Sequence, residues 1–186
     1  MLLFVGLGNP TPDSENNRHN LGFKIIDAIN KKFSLSKQKP KFKGLLTTGK
    51  IEGEKVYAIK PLTFMNNSGI CIRELLEYFK FDAENVIVFH DDLDIEFGKI
   101  KAKFGGSNAG HNGIASIDKF IGKDYSRVRV GIGKPKTPIE IGDYVLQNFD
   151  EEEVVGIDKI SNNITESIGD LIKKKLDLFS STVNNK

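Results

Sequence analysis

Short unbroken apolar runs and helical apolar stripes alternate along this chain, with polar, turn-forming residues between them. Leu2 to Val5 is a run that ends at Gly6-Leu7-Gly8-Asn9-Pro10, which predicts a first strand feeding a turn-rich loop that continues to about His19. Asn20 is placed to cap a helix whose apolar positions Leu21, Ile25, Ile29 and Phe33 keep helical spacing, with Ile26 widening the stripe. Leu45 to Ile51 and Lys55 to Ile59 flank Glu52-Gly53-Glu54 and predict a hairpin. Near Asn67 to Phe79 a second stripe carries Ile72, Leu75, Leu76 and Phe79. Val86 to Phe89, closed by His90-Asp91-Asp92, reads as a central strand buried on both faces.

The second half repeats the alternation. From Lys99 to Phe104, lysines at 99, 101 and 103 alternate with Ile100, Ala102 and Phe104, so a period of two puts three lysines on one strand face. The glycine-rich loop Gly105 to Gly110 leads to a helix over His111 to Ile121, carried by Ile114, Ile117 and Ile121, and Val128 to Ile132 returns as a strand. Asp150 or the glutamates after it open a C-terminal helix, since acidic residues suit the positive end of the dipole. The basic end of that helix is Lys173-Lys174-Lys175. The expected architecture is a three-layer α/β sandwich around a mixed, twisted sheet, because a hairpin adds antiparallel pairing to parallel crossovers. With no internal repeat and no Pro-, Gly- or Ser-rich break, residues 1–186 are expected to form one domain.

Composition narrows the class. A hydrophobic fraction of 39% and a charged fraction of 28% are ordinary for a soluble domain, and no apolar run is long enough to span a bilayer. The first ten residues lack the basic start of a secretory leader, and the single Cys71 permits no internal disulfide, so a cytoplasmic protein is expected. A net charge of +2 is too small to announce nucleic-acid binding, which must rest on local patches. Lys99, Lys101 and Lys103 form such a phosphate-contacting row, helped by Arg129 and Lys134 if the next strand is adjacent; the run Lys37, Lys39, Lys41, Lys43 reads as a solvated loop.

All three histidines lie in polar clusters that the pattern places at strand ends, where open α/β sheets bind ligands. His19, at the mouth of a helix, has the titration range of a general base for water, and Asp91 is the carboxylate best placed to fix its tautomer. Asn9, Asn66 and Asn112 offer neutral amides for a carbonyl, a water or an oxyanion. Each has a plainer alternative: a solvent-facing helix-end histidine, an aspartate bonded to local backbone, asparagines serving turns. The chain has no G-x-S-x-G nucleophile and no H-E-x-x-H, so direct attack by water is favoured and neither metal nor cofactor is expected. Pro10 and Pro12 prevent the immediate helix that a dinucleotide fingerprint at Gly6 and Gly8 requires.

Six segments in order, Val5 to Pro10, Arg18 to Gly22, Thr63 to Gly69, His90 to Asp94, Gly110 to Gly113 and Arg129 to Gly133, closely resemble the bacterial-type peptidyl-tRNA hydrolase family over roughly Val5 to Gln147. The resemblance implies hydrolysis of the ester between a peptide and the tRNA 3′ ribose by a monomer without cofactor, recycling tRNA from abandoned translation. His19 matches the catalytic base and Asp91 its orienting partner. Asn9 matches the position that distinguishes blocked from free aminoacyl groups, and Asn66 and Asn112 those that bind the 3′ end and the peptide linkage. Phe64 and Met65 line the same groove, where an aromatic ring stacks on a base. Lys103 and Arg129 match basic positions that meet the tRNA backbone. Departures are Ser14 where a tyrosine is frequent, Asn17 where a threonine is usual, Ala115 where a lysine is frequent, and a less glycine-rich Ser107-Asn108-Ala109-Gly110; a stacking contact is expected to be lost at Ser14. Two other readings compete: a non-catalytic RNA-binding module on the same fold, and a metal-dependent amidohydrolase or peptidase.

Overall fold

A computed structural model describes all residues 1–186. Seven strands form one sheet: β1 (Leu2–Gly6), β2 (Lys39–Lys41), β3 (Gly44–Ile51), β4 (Glu54–Pro61), β5 (Val86–Asp92), β6 (Ile100–Phe104) and β7 (Ser126–Gly131). Their order is β2-β3-β4-β1-β5-β7-β6. Parallel pairing joins β4, β1, β5 and β7, and antiparallel pairing adds β2 and β3 at one end and β6 at the other. The sheet is thus mixed, as the hairpin pattern implies. Its turn is the two-residue Glu52-Gly53, both with positive φ, the geometry that matches strand twist.

Side-chain alternation divides the core into two layers. Phe4, Ile87, Phe89, Val128 and Val130 face α1 (Leu21–Lys32) and the C-terminal helices, whereas Leu3, Val5, Val86 and Val88 face α2 (Ser68–Phe79) and α3 (Asn112–Ile121). β5 is buried along its whole length and extends through His90 and Asp91 to Asp92, three residues past its apolar run. Cys71, on α2, is buried in the second of these layers, where burial and then Glu74 push its thiol up to about 12. No helix is long and apolar enough to cross a membrane.

Several expectations are corrected. The C-terminal helix is three: after the short α4 (Ile141–Val145) come α5 (Glu151–Glu166), α6 (Ile168–Ile172) and α7 (Leu176–Asn184). The apolar stripe Ile157, Ile160, Ile164, Ile168, Leu171 runs through the break and disguises it. Lys174 adopts φ +58°, so the lysine run turns the chain instead of ending one long helix. α7 then covers the edge strand β6: Asn184 bonds both the N–H and the carbonyl of Ile100, and Ser180 accepts from Ala102 N–H. Lys99 lies just outside β6, leaving Lys101 and Lys103 as its exposed lysines. Lys39 to Lys41 form the exposed edge strand β2 where a loop was expected.

Candidate active site

The polar site lies at the carboxyl ends of β1 and β5. Residues Arg18–Asn20 make a tight turn ahead of α1, tied to the loop after β1 by two hydrogen bonds. Asn20 precedes the helix, yet its amide does not cap it: Oδ1 accepts from Asn9 N–H and Nδ2 donates to Asn9 carbonyl, both at 2.9 Å. The cap expected at Asn20 is spent on locking the two loops together. Asn9 in turn accepts from Met65 N–H through Oδ1 at 2.8 Å, which leaves its Nδ2 as the free end of the amide.

His19 and Asp91 meet as expected. Nδ1 of His19 lies 2.9 Å and 3.1 Å from the Asp91 carboxylate oxygens, so its proton is donated there and Nε2, with no protein partner, carries the lone pair. Burial opposes the His19 imidazolium, but the charge of Asp91 and its hydrogen bond outweigh burial and hold the pKa above 6.5. Asp91 is itself buried, which would raise its carboxyl; His19 and His111 prevail and hold it well below the usual carboxylate range.

The second imidazole on Asp91 belongs to His111, which the chain's pattern places nearby without assigning it a role. His111 caps α3: its Nδ1 accepts from Gly113 and Ile114 N–H at 3.1 and 3.3 Å, so the ring proton sits on Nε2 and is donated to Asp91 Oδ1 at 2.9 Å. Gly113 permits this crowding, since a Cβ there would meet Met65 Sδ at 2.5 Å and His111 Cε1 at 3.1 Å. Within 4.8 Å of one another, His19, Asp91 and His111 are the residues that could hold a metal ion. Here Asp91 accepts a proton from each ring, and a metal among them would have to displace those hydrogen bonds.

His19, Asp91, His111 and Asn112 line a cavity of about 280 Å³, closed on one side by Ile141, Gly142 and Val145 of α4. No periodic signal announces α4, a five-residue helix. It is held by Arg18, the neighbour of the proposed base. The buried guanidinium donates to Tyr144 carbonyl at 3.2 Å and Glu153 at 3.0 Å and lies 4.2 Å from the Tyr144 ring centroid. Asn112 is exposed at the start of α3. Phe64 and Asn66 are exposed on the turn after β4, outside that cavity, with Met65 buried between them. Phe64 has φ +67° and ψ 156°, a region nearly reserved for glycine. Ser14 is buried with its hydroxyl 2.6 Å from that of Thr11, so this position faces inward instead of offering a contact surface. Asn17 is also buried and bonds Asn148.

On the other face of the β5 end, Lys101 pairs with Arg129 and Lys103 with Arg127 across β6 and β7, so the adjacency expected for the basic row holds. Arg127 is neutralised by Asp118 at 3.0 Å. Arg129 is bonded through Nε to Asp92 at 2.7 Å, and exposed Lys134 lies 3.9 Å from Asp94.

A mixed α/β sheet with its polar cluster at the carboxyl ends of the strands places this chain among the open-sheet α/β proteins, whose ligands bind at that edge. A model of the peptidyl-tRNA hydrolase family matches residues 3–186. A peptidyl-tRNA hydrolase of Pelagibacter ubique is 78% identical over 186 residues, all of both chains, and one from Bartonella quintana is 45% identical over 99% of this chain and 95% of its own. The crystal structure of peptidyl-tRNA hydrolase from Acinetobacter baumannii superposes with a TM-score of 0.92 at 31% identity, covering 99% of this chain and 94% of the other. The chain belongs to the peptidyl-tRNA hydrolase family.

Proposed function

We propose that the chain hydrolyses the ester joining a peptide to the 3′ ribose of tRNA, with His19 as general base. The observation that carries this reading is the His19 Nδ1 bond to Asp91 at 2.9 Å, which leaves Nε2 unpartnered beside the cavity. Water bound at Nε2 gives up a proton as its oxygen attacks the ester carbonyl. The tetrahedral intermediate is held by the Asn112 amide, which lines the same cavity as His19, and by backbone N–H groups, while Asn66, on the turn outside that cavity, binds the 3′ end. Its collapse breaks the bond to the ribose oxygen, which takes the proton back from His19 and leaves as free tRNA; the peptide leaves with a carboxylate.

The exposed Phe64 ring, backed by the buried Met65, forms the wall on which the 3′-terminal base rests, and Asn9 distinguishes an acylated from a free α-amino group. Lys103 and Arg129 contact tRNA phosphates. The protein acts as a cytoplasmic monomer without a metal, one domain over 1–186. Single-turnover cleavage of N-blocked aminoacyl-tRNA beside its unblocked form tests the reading. Wild-type protein should cleave the blocked ester far faster, and His19→Ala should lose about 10²–10⁴-fold. Tight tRNA binding with no cleavage by wild type would favour an RNA-binding module instead.

A further inference from the structure

Consecutive residues of a strand point to opposite faces, so the end of β5 presents two carboxylates back to back. Asp91 serves His19, and Asp92 turns toward the basic face, where it is 7% exposed and fixed by Asp94 N–H on Oδ1 at 2.8 Å. Its other oxygen accepts from Arg129 Nε alone, at 2.7 Å; neither Nη of Arg129 has a protein partner, and the side chain remains 23% exposed. Arg129, Lys103 and His90 line one small cavity beneath the glycine loop, and His90 Nε2 there is buried without a partner. The Lys103 ammonium lies against Gly106, whose missing Cβ would come within 3.2 Å of Nζ.

A guanidinium held by Nε keeps its two terminal nitrogens free as a planar fork, the geometry that binds a phosphate through two parallel hydrogen bonds. A carboxylate that only neutralised Arg129 would gain more by taking that fork itself. We propose that Asp92 is the positioning residue of the tRNA contact, holding Arg129 so that its Nη pair receives one backbone phosphate while Asp91, on the same strand end, holds the base. Binding register and catalytic register are thereby set by adjacent residues. The inference rests on the phosphate contact proposed above for Arg129.

The test is a double-mutant cycle on peptidyl-tRNA cleavage, reading KM, kcat and the salt dependence of KM. Arg129→Ala should raise KM and flatten the slope of log KM against log salt by about one. Asp92→Asn should raise KM about five- to tenfold through the lost orientation of one long side chain, and should add nothing once Arg129 is alanine. Asp92→Glu, which keeps the carboxylate, should recover most of the loss, and Arg129→Lys should not replace the arginine. A lower KM in Asp92→Asn would make Asp92 a competitor of phosphate and overturn the proposal. So would a full effect of Asp92→Asn in the Arg129→Ala background, or a loss in kcat at constant KM. If Arg129→Ala itself leaves KM and the salt slope unchanged, the phosphate contact fails, and this inference with it.

Discussion

His111 donates from Nε2 to Asp91 at 2.9 Å while its Nδ1 receives the first free N–H groups of α3, so one ring both ends a helix and anchors the carboxylate that orients His19. The two roles separate by substitution. Both variants leave the buried Asp91 short of one donor and should lose about 1–3 kcal/mol, with His111→Asn, which preserves an oxygen for the cap, about 1 kcal/mol more stable than His111→Ala. Both should slow single-turnover cleavage, because both free Asp91 on one side. Equal rates for wild type and His111→Asn would remove His111 from the site.

Arg18 ties the turn carrying His19 to α4 and to the start of α5 through Tyr144 and Glu153. Arg18→Met leaves Glu153 without its buried cation and should cost about 2–3 kcal/mol. Amide exchange over residues 141–148 should accelerate more than exchange in β5. Uniform acceleration across the protein would mean that Arg18 supports the core generally and not α4.

Gly22 sits in the first turn of α1, where replacement of glycine by alanine ordinarily stabilises a helix. A Cβ there would meet Leu7 N at 2.3 Å and Phe89 carbonyl at 2.5 Å, both immobile backbone atoms. Gly22→Ala should therefore destabilise by about 3 kcal/mol, measured by urea denaturation. A gain in stability would show that α1 does not need this approach to β1 and β5.

His90 is buried with Nε2 unpartnered, and burial, then the charge of His111, lower its pKa to about 4 from an ordinary 6.5. Between those values the unfolded chain binds a proton that the folded one refuses, so stability falls as pH drops from 6.5 to 4. The loss is on the order of 3 kcal/mol when complete. The His19 contribution has the opposite sign, being present below 6.5 and lost as pH rises through its raised folded pKa, but it is common to wild type and a His90→Gln variant. Wild type should lose stability relative to His90→Gln as pH falls, whichever is the more stable at neutral pH, as read from their urea midpoints; a constant difference would contradict a neutral buried His90.

Much of this was legible in the chain because it is local. β1, β5 and the hairpin follow from apolar runs and turn residues; Asp91 stands at the end of such a run, and His19 just ahead of a helical stripe. What was not legible depends on distant register. Asn20 has the composition of a cap, and only the approach of the Asn9 loop decides that its amide bonds there instead. α7 has apolar spacing too short to announce a helix, and gains its role from Ser180 and Asn184 reaching the edge of β6. Asp92 resembles any strand-end aspartate until β7 brings Arg129 beside it. Ser14 fills a position taken for surface, and the turn at Thr11 buries it.

The most direct test of His19 as a base oriented by Asp91 is the pH profile of single-turnover cleavage of N-blocked aminoacyl-tRNA by wild type and Asp91→Asn. The base is active only unprotonated, so the wild-type rate should rise with pH through a midpoint above 6.5. Without the carboxylate, burial alone acts on the imidazole. The Asp91→Asn midpoint should then fall below 6.5, with a plateau lower by about 10²-fold or more. Coincident midpoints with an unchanged plateau would contradict the account.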